Sequence, residues 1–272
     1  MSAIALTIAG SDSGGGAGIQ ADLKTFSALG VYGASAITAV TAQNTHGVTA
    51  IEDLSPAIVA AQIDAVLSDL AVGAIKIGMV SRTETIRVIA ERLRAHGRRA
   101  VLDPVMVATS GDRLLAPDAL AALREELMPL ADCATPNLAE AALLTGERMA
   151  GDEAAMERQG RIILGFGARA VLVKGGHGQS LESADLLVAE AGGGGETKAR
   201  RFAAPRLSVT NDHGTGCTLA AAITAELAKG AALVDAVASA KRYLQDALAA
   251  GAGLAVGSGR GPVHHFHAWW PR

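Results

Sequence analysis

Short apolar runs alternate with amphipathic segments along most of the chain. Ile4–Ala9, Ala34–Ala42, Val48–Leu54, Ala74–Met79, Ala100–Leu102, Asp132–Ala134 and Ala170–Val173 read as strands, being brief, apolar and bounded by turn formers. Ala184–Ala189 and Arg201–Ala203 add two strand candidates around a loop whose tip is Gly192–Gly195. Ile19, Leu23 and Phe26 share one helical face and predict a helix over Ile19–Leu29, stopped by Gly30. Ser55 as N-cap and Pro56 at the first helical position open the next helix, with Val59, Ile63, Val66 and Leu70 inward. Ile86, Ile89 and Leu93 mark a third over Thr83–His96, which Gly97 ends. Further helices are predicted over Pro117–Leu127, Asn137–Leu144 and Glu153–Phe166. Two more close the chain, one from Thr218 to Leu227 and one from Leu233 that buries Leu233, Val237, Leu244 and Leu248. Such alternation predicts βαβ units and a mostly parallel sheet covered on both faces. No repeat or linker divides the 272 residues, so one domain is expected.

Composition narrows the function classes. Half of the residues are hydrophobic but only 3% are aromatic, so the core is expected to be mainly Ala, Leu, Val and Ile. The net charge of −3, without a basic tract, argues against nucleic acid or an anionic membrane as partner. Cys133 and Cys217 lie far apart with no Cys-x-x-Cys, which fits neither a disulfide framework nor a zinc pattern and suits a reducing cytoplasm. The first residues lack a basic segment and a long enough apolar run for a signal peptide.

The unusual polar residues fall at the carboxyl ends of the predicted strands, where ligands bind in such sheets. They are Gly10–Gly18, Gln43-Asn44, Lys76–Met79, Asp103, Asn137–Glu140, Lys174 and the stretch Asn211–Ala222. In that last stretch Gly214-Thr215-Gly216 reads as a turn and Thr218–Leu227 as a helix. The unpaired N–H groups and positive dipole of a helix start suit a phosphate. Cys217 sits there too, and a thiol at a helix N-terminus is expected to have a lowered pKa. The Gly10–Gly18 turn, GSDSGGGAG, reads as flexible and is neither a Walker A loop nor a dinucleotide fingerprint. It can form a backbone wall against a small substrate, with Asp22 one helical turn beyond. Asp103 and Glu140 are candidate magnesium ligands, direct or through water, although Asp before Pro104 also suits a turn and Asn137 with Glu140 a capping box. Lys174 at a strand end can meet a nucleotide phosphate or simply be solvated. His264-His265-Phe266-His267 is read as part of a packed C-terminus with Trp269 and Trp270 as apolar anchors. Glu91–Arg99 is read as a solvated helix end.

The stretches IAGSDSGGGAGIQADLKTF, TAVTAQNTHGV, IKIGM, VLDPVMVATSGDRLL, TPNLAEAALLTG, VLVKGGH, HGTGCTLAAAI and GPVHHFHAWW occur in this order. Together they resemble the hydroxymethylpyrimidine/phosphomethylpyrimidine kinases of thiamine biosynthesis, in the ribokinase-like superfamily. The resemblance implies a three-layer α/β/α fold, a homodimer and ATP with Mg²⁺. It implies phosphorylation of 4-amino-5-hydroxymethyl-2-methylpyrimidine, then of the resulting monophosphate. It places Gln43 and Asp22 on the pyrimidine, with Met79 and the Ala17-Gly18 backbone around it. An amide, which both donates and accepts, suits an aminopyrimidine edge. Lys174 falls on ATP phosphate, with Asn137 and His213 also on the nucleotide side, and Asp103 and Glu140 fall on Mg²⁺ and its waters. Gly214, Thr215 and Gly216 form the anion hole, and Cys217 occupies the position of the base, where most ribokinase-like enzymes carry Asp.

Two positions depart from the pattern. Asp212 stands where Thr is frequent and is expected either to disfavour phosphate or to pair with His213; Arg260 stands where His is common, with little effect expected. The nearest rival is a pyridoxal or pyridoxine kinase, against which Gln43 and its QNTHGV context weigh. A Rossmann oxidoreductase lacks its glycine fingerprint here. A non-catalytic nucleotide sensor has little use for Asp103, Glu140, Lys174 and Cys217 at four separate strand ends. Closure over the site is expected from the loops at Ala108–Leu114 and Gly192–Gly195.

Overall fold

The computed structural model describes residues 2–106, 115–116, 118–176, 181–190 and 197–270. The loops at Ala108–Leu114 and Gly192–Gly195, and Pro117, lie outside the described residues. The described strands form one nine-stranded sheet in the order β3-β2-β1-β4-β5-β6-β7-β8-β9. They span Ile4–Asp12 (β1), Tyr32–Asn44 (β2), Gly47–Asp53 (β3), Ala74–Ile77 (β4), Ala100–Leu102 (β5), Ala131–Ala134 (β6), Ala170–Lys174 (β7), Glu182–Glu190 (β8) and Thr197–Pro205 (β9). From β2 across to β7 every neighbouring pair is parallel, while β3, β8 and β9 add antiparallel edges. The helices are Gly18–Ala28 (α1), Pro56–Asp69 (α2), Thr83–Ala95 (α3), Ala119–Ala122 (α4), Leu138–Thr145 (α5), Glu153–Leu164 (α6), Thr215–Ala228 (α7) and Leu233–Gly251 (α8).

Period-two alternation divides the core. Val171 and Val173 of β7 pack with α2, α3, α5 and α6 on one face, through Val59, Ile63, Ile86, Leu138 and Ile163. Ala170 and Leu172 face the other way, onto Leu219, Ile223, Val237 and Leu244 of α7 and α8. Phe26 of α1 joins Ala221 and Ala225 of α7 over Ala5 of β1. The result is the expected α/β/α sandwich. Sequence and structure agree at Ser55, whose side chain accepts from Ile58 N–H ahead of Pro56.

The differences are local and have causes. The helix expected from Thr218 begins at Thr215, because Gly214 takes the left-handed φ of 79° and turns the chain sharply at the N-cap. Of the helix expected over Pro117–Leu127, Ala119–Ala122 is α-helical and Leu123–Leu127 widens into a π turn before Met128–Leu130. The Gly10–Gly18 segment is less flexible than it reads. β1 runs on to Asp12, whose carboxylate accepts hydrogen bonds from the N–H groups of Gly14, Gly16 and Ala17 at 2.8–3.0 Å. Trp269 and Trp270 are not buried anchors; they are 68% and 56% exposed. Trp269 donates its indole N–H to Ala28 C=O and Trp270 stacks on Phe266, while Val263 and His265 are the buried tail residues.

Candidate active site

Because β2, β1, β4, β5, β6 and β7 are parallel and adjacent in that order, their carboxyl ends form one row. The row carries Gln43, Asp12, Met79, Asp103, Asn137 and Lys174. The N-terminus of α7 comes down over its middle. A Cβ on Gly214 would collide with Gly16 C=O, and one on Gly216 would lie 3.2 Å from Lys174 Nζ and 3.7 Å from Asp103 Oδ2. Both glycines are there for close approach. No side chain caps the start of α7, so its first-turn N–H groups remain suited to an anion.

Toward β7 the site is a charged cluster. Lys174 Nζ donates to Asp103 Oδ1 at 2.7 Å, and the Thr135 hydroxyl donates to the same oxygen at 2.9 Å. Burial alone would raise the Asp103 pKa, but the ammonium groups of Lys174 and Lys76 bring it below the usual carboxylate value. Glu140 closes a capping box with Asn137, accepting from Asn137 N–H at 2.8 Å while Asn137 Oδ1 accepts from Glu140 N–H. Burial and the neighbouring Asp103 push Glu140 up to about 7, against the pull of Lys174. Among the described residues no three acidic, His or Cys side chains form a metal-holding group. Two close carboxylates, one of them protonating near neutral pH, do fit a cation that keeps most of its water and is shared with phosphate.

Beneath the middle lies a fully buried ion pair that the sequence reading left unassigned. Lys76 Nζ sits 2.9 Å from both oxygens of Asp22, and Thr7 Oγ1 donates to Asp22 at 2.6 Å. Burial would pull the Lys76 pKa down, yet the carboxylates of Asp22 and Asp103 hold the ammonium charged. With both oxygens taken by protein partners, Asp22 lies below the site and not on its surface. Cys217 differs from expectation too. Gly18 N–H and the Lys76 charge favour its thiolate, but burial prevails and pushes the pKa up to about 11.

Toward β2 the site is tightly connected. His213 Nε2 meets Asp12 Oδ2 at 2.9 Å and one end of the Gln43 amide at 3.3 Å. A Cβ on Gly16 would strike the His213 ring. His213 therefore stands at the Gln43 end, away from the Lys174 cluster where the nucleotide was expected. Met79 is buried against Gly10, and its C=O accepts from the Thr38 hydroxyl at 2.8 Å. Gln43, His213, the β2–β3 turn, Gly259 and Arg260 line one cavity. Asp212 does not orient His213. It pairs with Arg260, whose Nε donates to Asp212 Oδ1 at 2.9 Å. The two departures from the family pattern are thus partners of each other.

The sequence profile of the phosphomethylpyrimidine kinase family matches residues 12–264. The chain belongs to this family. It is 66% identical to the hydroxymethylpyrimidine/phosphomethylpyrimidine kinase of Rhizobium meliloti, over 99% of both chains. Among solved structures, the phosphomethylpyrimidine kinase of Clostridium difficile is 46% identical with a TM-score of 0.77, covering 90% of this chain and 98% of that one. The Bacillus subtilis pyridoxal kinase, solved as an ADP complex, superposes with a TM-score of 0.88 at 34% identity, over 98% of this chain and 99% of that one. The residues to which sequence reasoning assigned no part in the site are Asp12, Lys76, Thr7 and Thr135. The available signal was polarity inside or at the end of an apolar strand, as in Thr7 of IALTIAG and Lys76 of AIKIGM. A polar group is kept there only when partners satisfy it.

Proposed function

We infer that the chain phosphorylates 4-amino-5-hydroxymethyl-2-methylpyrimidine at its hydroxymethyl group and then phosphorylates the monophosphate, using ATP. The observation that carries this reading is the uncapped start of α7, Gly214–Cys217, set between the Gln43 end and the Lys174–Asp103–Glu140 end of one row of strand termini. Gln43 faces the ring, with Met79 and the Ala17-Gly18 backbone about it. Lys174 meets the phosphates of the donor, and Asn137 lies beside it. Asp103 and Glu140 would hold Mg²⁺ with its waters; when bound, the ion neutralises charge on the donor phosphates. Asp22 acts through Lys76, holding a positive charge under the reacting groups.

Phosphoryl transfer is chiefly positioning and charge stabilisation. The α7 N–H groups and Lys174 serve the charge on the moving phosphoryl group. The base is the thiolate form of Cys217, a minor species at neutral pH because burial holds the thiol pKa up at about 11. It takes the hydroxyl proton late, as the alcohol oxygen becomes acidic on bonding to phosphorus, and becomes the thiol. In the second step the nucleophile is an ionised phosphate oxygen, so no base is required. A homodimer and a cytoplasmic location belong to the same reading; the free thiols of Cys133 and Cys217 suit a reducing compartment.

The test is incubation with ATP, Mg²⁺ and the pyrimidine, a parallel tube holding pyridoxal, with products resolved by mass. Pyrimidine monophosphate followed by diphosphate is the expected outcome. Phosphorylation of pyridoxal alone, an activity carried by the name of the Bacillus subtilis neighbour, would overturn the reading.

A further inference from the structure

We propose that Thr41, His213 and Asp12 lock the Gln43 side-chain amide in one orientation, with its oxygen toward His213 and its nitrogen toward Thr41, and so fix which edge of the ring the site reads. In the structure Gln43 Nε2 lies 3.3 Å from His213 Nε2 and Gln43 Oε1 lies 3.1 Å from Thr41 Oγ1; the proposed orientation is the reverse. The two ends have the same shape, so hydrogen-bond partners alone decide which is which.

His213 Nε2 is 2.9 Å from Asp12 Oδ2. That carboxylate also accepts from Gly14, Gly16 and Ala17 N–H, so it is an acceptor toward every neighbour. Nε2 must therefore carry a proton, whether the ring is neutral or cationic. The Asp12 pKa agrees: burial would raise it, but His213 and the backbone donors bring it below the usual value. The one proton on Nε2 points at Asp12; an amide nitrogen placed against this N–H would oppose two donors, whereas an amide oxygen shares the proton with Asp12. At the other end the Thr41 hydroxyl has one proton and sits 2.9 Å from Ser11 C=O, which can only accept. With that proton engaged, Thr41 Oγ1 is left as an acceptor. An amide oxygen there would oppose two acceptors; an amide nitrogen donates to it. Both ends select the same orientation.

The consequence rests on the proposed pyrimidine substrate. Gln43 lines the cavity with one N–H and one oxygen lone pair to spare. The acceptor is on the His213 side and the donor on the Thr41 side. In an aminopyrimidine the amino group donates and the adjacent ring nitrogen accepts, so the amino group lies on the His213 side. The hydroxymethyl group is borne by the carbon next to the amino-bearing one, away from that ring nitrogen. It thus points to the His213 side of the amide, and the reverse orientation would point it to the Thr41 side.

The 4-oxo analogue of the pyrimidine, 5-hydroxymethyl-2-methyl-4-pyrimidinone, reverses donor and acceptor on this edge and needs the reversed amide. Thr41→Val removes one of the two locking contacts and keeps the shape. The ratio of kcat/KM for the amino over the oxo compound is expected to fall by about tenfold in Thr41→Val, with KM for ATP unchanged. An unchanged ratio would overturn the lock. A second readout needs no substrate: in side-chain-labelled protein the Gln43 NH₂ protons should show NOEs to the Thr41 methyl group and none to the His213 ring protons. NOEs to the His213 ring would overturn the orientation outright. If the wild-type protein turns over neither pyrimidine, the substrate is wrong, and the NOEs still decide the amide.

Discussion

Cys217 shows how competing effects are decided at one residue. It has the helix start, the Gly18 N–H and the nearby Lys76 that lower a thiol pKa, yet its burial outweighs them and leaves it at about 11. Native alkylation by iodoacetamide should therefore be slow at pH 7 and rise about tenfold per pH unit, with no plateau before about pH 11. A plateau below pH 8 would mean that the dipole and Lys76 prevail. Cys217→Ala should reduce the first phosphorylation at least about tenfold more than the second, since only the first must remove a hydroxyl proton; equal losses would refute that division. Lys76 and Asp22 pose the opposite case, a charge pair with no exposure at all. Lys76→Met leaves Asp22 buried and unpaired, and should cost about 3–5 kcal/mol in chemical denaturation. Adding Asp22→Leu should recover much of that loss by removing the stranded charge. Neither residue's role was legible from spacing: the family resemblance placed Asp22 on the substrate, and only the β1–β4 neighbourhood reveals that Lys76 takes it first.

Among elements, the segment after α8 repays attention. Residues Gly257–Gly261 run as a strap between the β2–β3 turn and the start of α7. Gly259 N–H donates to Thr45 Oγ1 at 3.1 Å and Arg260 N–H to Thr45 C=O at 2.9 Å. Then His213 N–H donates to Gly261 C=O at 3.0 Å. A Cβ on Gly259 would collide with Thr45 C=O. Gly259→Ala should cost about 1–3 kcal/mol and raise KM for the pyrimidine more than KM for ATP, because the strap holds the Gln43 end. By contrast Asp212→Ala breaks a half-exposed pair with Arg260 and should change stability by less than about 1 kcal/mol. The motif GPVHHFH was visible in the sequence, but the strap was not. Its partner Thr45 lies more than two hundred residues away, and no local pattern announces a contact made by glycine backbone.

For the whole molecule, acid stability follows from where titratable groups are sealed in. His265 is buried beside Thr218, with Thr218 Oγ1 at 3.1 Å, and burial depresses its pKa to about 3 from 6.5. The folded pKa lies below the unfolded one, so between those values the unfolded chain binds the extra proton. The His265 contribution should then decline as pH falls from about 6.5 toward 3, by up to about 1.4 kcal/mol per unit, while Glu140, held up at about 7, acts in the opposite direction between 7 and 4.5. The Asp12 pKa is lowered on folding; its contribution is present above about 3.8 and is lost only at still lower pH. Denaturation curves between pH 7 and 4 should lose the His265 decline in His265→Gln; an unchanged slope would assign the acid limb elsewhere. The sequence by itself determined the alternation of strands and helices, the two-faced core and the positions of the polar strand ends, because periodicity and burial are local properties of the chain. Only the tertiary structure decided which of those ends are joined. It paired Asp22 with Lys76, Asp12 with His213 and Asp212 with Arg260, and it raised a thiol that its helix position alone would lower. Partnership and desolvation depend on what the fold brings near, and those neighbours are remote in sequence.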